Sequence, residues 1–228
     1  MNSPEQLPLG FQSLPAFGEP DFVVSGCNRE AVRWLDLWPD WPSPLLAIHG
    51  PAASGKTHLC HVFRSRTGAL MLRGDTLDEA SIEQALEKPA AIVVDDAHRV
   101  AGDGEAERRF FHLYNIVNGS GGALFATGPQ PPNLWPVALP DLRSRLATAM
   151  VAGIDLPDDD LLTVLIVKQF ADRQLRAPDE VVSFIVRRME RSFEAARTIV
   201  DRVDRAALAG RRNITLPLVR EVLEGAFF

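Results

Sequence analysis

The sequence predicts an α/β protein, with a domain built on a parallel five-stranded sheet followed by a small all-helical domain. Three observations carry this expectation. Between Asp21 and Gly153, five short apolar runs alternate with longer segments of helical period, the pattern of strand–helix units in a mainly parallel sheet. The loop after the first run has the spacing of a phosphate cradle and opens a helix. Beyond Gly153 the strand-like runs cease and helical period continues to the end of the chain.

In chain order, residues 1–20 are rich in proline and glycine without sustained period and read as an extended tail. The core domain is expected over 21–154, with strands at Leu45–His49, Ala69–Leu72, Ala90–Val94, Ala123–Ala126 and Ala149–Ala152. The helical domain spans 155–228. Its first helix follows Pro157-Asp158-Asp159-Asp160, acids suited to a helix N-terminus, and runs to about Phe170. A second begins near Pro178-Asp179-Glu180, with Val181, Val182, Ile185 and Met189 facing inward. A third covers Ser192 to Ala209, with Ile199, Val203 and Leu208 inward, and ends at Gly210; Thr215 caps the last, which carries Leu218, Val222 and Leu223.

Composition narrows the function classes. The 228 residues carry a formal charge of -6, and 46% are hydrophobic, as in an ordinary globular protein. Lys and Arg number 12 against 17 acids over 1–154, and 12 against 13 over 155–228. Neither part has the basic excess that drives non-specific nucleic-acid binding, so no strong direct DNA binding is expected. No run approaches a membrane span, and the N-terminus lacks the pattern of a secretory signal. Two cysteines, Cys27 and Cys60, fit a reduced cytoplasm better than a disulfide framework.

The chemistry gathers at Gly50-Pro51-Ala52-Ala53-Ser54-Gly55-Lys56-Thr57, which fits G-x-x-x-x-G-K-[ST] between an apolar strand and a helix. Backbone N–H groups of such a loop wrap a phosphate chain, and the helix N-terminus adds favourable field. Lys56 supplies charge to the terminal phosphates of ATP or ADP, and Thr57 a hydroxyl for Mg²⁺. Ala90–Val94 ends in Asp95-Asp96, carboxylates placed beside that loop. Asp95 is the Mg²⁺ candidate. Asp96 is placed to polarise the attacking water, or is a solvated loop acid. Thr127, at the tip of Leu124–Thr127, either touches the terminal phosphate or water, or merely ends its strand. His58 and His61, with Cys60 between them, look like metal ligands, but with no carboxylate or further ligand evident nearby they fit packing on the helix after the loop. Trp34, Trp38 and Trp41 fit packing around the first helix and the Pro39–Pro44 turn.

In this order the motifs resemble the AAA+ superfamily, and more narrowly the DnaA initiator family. Asp21–Arg29 is similar to the F-V-x-G-x-x-N-R segment that holds adenine and ribose, which implies roles for Val23, Val24 and Asn28. Gly55-Lys56-Thr57-His58-Leu59 resembles the family's GKTHL, bringing His58 into the nucleotide-binding run. The resemblance covers about residues 21–228 and implies a P-loop AAA+ core with a helical lid. Leu139–Leu146 resembles the segment ending in S-R-F, whose arginine enters a neighbour's nucleotide site. That implies a trans finger at Arg145, with Arg143 as the alternative. The lid arginine of N-V-R-E-L falls at Glu194, so Arg191 or Arg197 substitutes, or the site is built for a diphosphate.

No DNA-binding helix-turn-helix is expected after the lid. In the tail, Gln6-Leu7-Pro8-Leu9-Gly10-Phe11 resembles the Q-L-x-L-x-F peptides that bind the DNA polymerase III sliding clamp, its beta subunit. Gln6 offers polar contacts, and Leu7, Leu9 and Phe11 offer apolar anchors for a groove. This combination resembles the Hda group of DnaA-related regulators. The resemblance implies an ADP-bound negative regulator of replication initiation, with weak hydrolysis of its own, whose partners are the clamp and DnaA. A homodimer stays open, and so does the alternative of an autonomous ATPase acting as a helicase loader or initiation factor.

Overall fold

The computed structural model describes residues 23–87 and 89–225, so the peptide at Gln6–Phe11 lies outside the described residues. Strands β1 (Leu45–His49), β2 (Leu70–Arg73), β3 (Ala91–Asp95), β4 (Ala123–Gly128) and β5 (Met150–Gly153) form one sheet in the order β2-β3-β4-β1-β5. Every pair is parallel. Helices cover both faces, which is why the central strands read as continuous apolar runs rather than alternating ones.

Alternate residues feed two cores. Leu46 and Ile48 of β1, Val93 of β3 and Phe125 of β4 face α1 (Arg29–Asp36) and α2 (Lys56–Thr67). Leu45, Ile92, Val94 and Leu124 face α3 (Glu79–Leu86), α4 (Gly104–Ser120) and α5 (Pro140–Ala147). At the base of the first core, Trp41 stacks on Phe63 at 5.6 Å while Trp38 meets it edge-on, and the Trp41 indole N–H donates to Trp34 O at 2.6 Å. β2, β3 and β5 each begin one residue later than the apolar runs, and β2, β3, β4 and β5 extend beyond them to Arg73, Asp95, Gly128 and Gly153. The ladder pairs backbone whatever the side chain, so hydrophobicity does not mark its last rung.

Four helices follow: α6 (Asp159–Asp172), α7 (Asp179–Val186), α8 (Phe193–Gly210) and α9 (Leu216–Glu224). They enclose a third core that includes Ile166, Phe170, Ile185, Val203 and Leu218. The Asp158 carboxylate caps α6 by accepting from Leu161 N, and Ser192 caps α8 through Ala195 N. One inward assignment is corrected. Leu208 is 69% exposed, because the buried stripe of α8 runs through Ile199, Val203 and Ala207, and one further residue turns away from it. Met189 lies beyond the end of α7 and is only half-buried against the third core. Leu161 and Phe193 join the first core, so the helical domain is seated on the sheet domain next to the phosphate loop. No helix among the described residues is long and apolar enough to cross a membrane.

Candidate nucleotide-binding site

The site forms where carboxyl ends of parallel strands open a crevice, the usual place for ligands in such sheets. The loop between β1 and α2 turns through Ala53 (φ 59°) and Gly55 (φ 90°). Only glycine takes the second of these without strain. Gly55 is the N-cap of α2 and no side chain caps it, which leaves first-turn amides for an anion. The Lys56 ammonium donates to Gly50 O at 2.9 Å and Pro51 O at 2.7 Å. Burial holds its pKa below the ordinary lysine value, against the opposing pull of Asp96 and Asp95.

Register explains what stands opposite. Val94 of β3 pairs with Ala126 of β4, which brings the next residues, Asp95 and Thr127, side by side. The Thr127 hydroxyl donates to Asp95 Oδ1 at 2.6 Å and accepts from Asp96 N at 2.9 Å. The Thr57 hydroxyl donates to Asp95 Oδ2 at 2.8 Å. Asp95 and Thr127 are both buried, so the hydroxyls replace the water the carboxylate has lost. Cys60 is buried behind Asp95, its thiol 3.7 Å from Oδ1, and burial pushes its pKa well up.

Asp96 sits in the left-handed region at φ 51°, with Arg73 Nη2 3.8 Å and Arg99 Nε 3.7 Å from its carboxylate. Arg73 also forks onto Asp75, at 3.1 Å for each bond. Gly74 permits this arrangement, since a Cβ there would lie 2.3 Å from Asp96 O.

A cavity of about 390 Å³ is lined by Ala52–Thr57 and Asp96 from the sheet domain, and by Leu165, Gln169, Phe193 and Arg197 from the helical domain. Of the two candidate lid arginines, Arg197 faces this cavity, whereas Arg191 forks onto Asp159 at 2.8 and 3.0 Å. Glu194 is exposed and does not line it. Neither do Gly50, Pro51 and His58, nor Val23 and Val24, which are half-buried against the first core. Asn28 is buried; its amide donates to Val23 O and accepts from Ser25 N, both at 2.9 Å. Asp155 N donates to Cys27 O, which ties this turn to the start of the helical domain.

Arg145 stands apart from the cavity. It is exposed in the last turn of α5, its guanidinium carbon 5.6 Å from the centre of the Tyr114 ring. Arg143 is engaged elsewhere, donating to Val137 O at 2.7 Å.

Sequence reasoning missed the residue that fixes α5. Glu107, buried on α4, accepts from Gly102 N, Ala138 N and Leu139 N at 2.7–3.0 Å. Its position three residues before Phe110, on the buried stripe of α4, was the available signal. Burial pushes its carboxyl up, but the amide hydrogen bonds outweigh this and hold it below the ordinary glutamate value. Glu107→Ala leaves three donors unpaired, at about 1–3 kcal/mol each, and chemical denaturation at pH 7 is expected to register the loss. Because the folded-state pKa is depressed, the carboxylate's stabilisation is full above the ordinary glutamate pKa and fades as pH falls through the folded value. The wild type's advantage over Glu107→Gln should therefore shrink in acid.

A parallel sheet with a phosphate loop at β1, acids at the tip of β3 and a helical domain closing over the loop defines an AAA+ protein of the P-loop class. Residues 152–223 match the family model "Hda, lid domain". An uncharacterized protein of Haemophilus influenzae is 30% identical over 193 residues, covering 81% of this chain and 83% of its own. The fold also matches domain III of the Thermotoga maritima replication initiation protein DnaA, with TM-score 0.77 at 18% identity, over 91% of this chain and 97% of that one. AMPPCP-bound DnaA from Aquifex aeolicus matches with TM-score 0.65 at 16% identity, over 81% and 63% of the two chains. The chain belongs to the Hda-like, DnaA-related family of AAA+ proteins.

Proposed function

We propose that the chain is a nucleotide-bound regulator of replication initiation that stimulates ATP hydrolysis by DnaA. The observation that carries this reading is the placement of its arginines. Arg145 is exposed on α5 and does not line the chain's own cavity, while Arg143 donates to the Val137 carbonyl. An arginine so placed is free to enter the site of a neighbouring subunit.

In that site, water forms a bond to the γ-phosphorus as the bridging bond to ADP breaks. Arg145 neutralises the charge that accumulates on the departing phosphate oxygens. The amides of 52–57 and Lys56 would hold the phosphates of the chain's own nucleotide, ADP or ATP, and Arg197 lines the same cavity from the lid. Bound there, the nucleotide favours one arrangement of the two domains. The donor set suits Mg²⁺, since Thr57 and Asp95 offer hard oxygens and leave positions for phosphate and water. Bound Mg²⁺ would neutralise phosphate charge. Weak hydrolysis by the chain itself accords with Asp96, whose carboxylate is engaged by Arg73 and Arg99 rather than standing clear to orient a water.

The peptide Gln6, Leu7, Leu9 and Phe11 recruits the clamp, and tethering raises the local concentration of the regulator near DNA-bound DnaA. In a pull-down with the beta clamp, the wild type is expected to bind and Gln6→Ala/Phe11→Ala to lose most of that binding. Equal capture of both rejects the tail assignment. For the regulatory activity, clamp-bound protein added to ATP-loaded DnaA should accelerate phosphate release, while the chain alone turns over little ATP. Rapid turnover by the chain alone, lost in Asp95→Asn, would instead establish an autonomous ATPase.

A further inference from the structure

We infer that Tyr114 is the positioning residue for Arg145, its ring serving as the platform from which the exposed guanidinium is presented to the partner's triphosphate. This rests on the reading of Arg145 as a trans finger. Tyr114, the only tyrosine of the chain, lies on α4 and is 5% exposed. Its ring nevertheless meets a charge, because the Arg145 guanidinium carbon is 5.6 Å from its centre. That is within the range at which a cation is attracted by an aromatic face. Arg145 makes no ion pair among the described residues, so the ring is the contact that orients it.

The neighbouring contacts make α4 a rigid base for this pair. Leu142 and Leu146 of α5 are buried in the same core as Phe110, Leu113 and Tyr114 of α4. The Glu107 carboxylate, two turns before Tyr114 on α4, holds the amides of Ala138 and Leu139 just before α5 begins. Two turns of α4 thus fix the start of α5 and the side chain near its end. A long arginine side chain otherwise loses rotamer freedom on reaching its target. A ring that holds it in advance spares that loss at the moment of docking. Misplacement of a catalytic group by about 1 Å costs on the order of 10²-fold.

The test compares Tyr114→Phe, which keeps the aromatic face, with Tyr114→Leu, which keeps only the apolar bulk; Tyr114→Met replaces the latter if leucine unfolds the helix pair. Phosphate release from ATP-loaded DnaA is followed in single turnover, in the presence of clamp and across concentrations of the full chain. Tyr114→Phe should retain the maximal rate, and Tyr114→Leu should lower it about tenfold or more without a matching change in half-saturating concentration or melting temperature. A readout independent of the partner comes from NMR. The Arg145 Nε–H resonance, assigned by its loss in Arg145→Lys, should lie upfield in wild type and Tyr114→Phe and move downfield in Tyr114→Leu. Full stimulation by Tyr114→Leu, with Arg145→Ala inactive, overturns the role of Tyr114 and leaves the finger standing. Full stimulation by Arg145→Ala overturns the finger and this inference with it.

Discussion

Arg145→Ala is expected to lower the stimulated rate of ATP hydrolysis by DnaA by about 10³-fold or more, the range in which arginine fingers act. The same substitution should leave nucleotide binding and melting temperature of the chain itself unchanged. The side chain is exposed in the last turn of α5, so little stability is at stake. That separation of effects is diagnostic. A surface arginine that merely helped docking would shift the half-saturating concentration, and excess protein would restore the rate. A finger acts in the transition state, so saturation should not rescue it. Arg143→Ala supplies the contrast. Its guanidinium holds Val137 O, so the variant is expected to loosen the approach to α5 and reduce stability modestly.

Lys56→Met should lower affinity for ADP and ATP by about 30-fold or more, since truncating one partner of a buried charge pair costs about 2–5 kcal/mol. Titration calorimetry with each nucleotide measures it. The ligand-free protein behaves in the opposite sense. Burial disfavours the charged ammonium, as its lowered pKa records, so an apolar side chain of similar length relieves a cost that the fold bears for binding. Denaturation without nucleotide should therefore find Lys56→Met as stable as the wild type or more so. A variant that loses stability and affinity together would show that the ammonium's bonds to Gly50 O and Pro51 O hold the loop itself.

Much of the fold was legible because burial on both sides of a parallel sheet leaves apolar runs that cannot be mistaken for loops. Leu45–His49 emerged with its bounds unchanged, and the other four strands end one or two residues beyond their apolar runs. Leu208 was misplaced because a hydrophobic residue need not be buried, and the helix had already filled its stripe with Ala207. In the site, the phosphate loop announces itself through glycines and lysine at fixed spacing. Arg73 and Arg99 carry no comparable signal. The approach of Arg73 to Asp96 depends on β2 lying beside β3 and on the close passage at Gly74, whereas Arg99 reaches the same carboxylate from three residues on in the following turn.

The sequence by itself determined the α/β class and the resemblance to DnaA-type AAA+ proteins. It also placed a phosphate loop on β1 and acids on β3, since spacing along one strand–loop–helix unit is a local property of the chain. Tertiary structure decided which arginine lines the cavity at the loop and which stands apart from it. Arg191 and Arg197 are equally plausible by spacing, but packing of α6 against α8 gives the first to Asp159 and turns the second toward the loop. Arg143 and Arg145 stand two apart on one helix and so point in different directions. One meets backbone and the other meets Tyr114 and solvent. Such choices depend on contacts between residues some 30 apart in the chain, like Glu107 with Leu139 and Asp159 with Arg191. No local pattern encodes them, because the partner's position is set only when the elements pack.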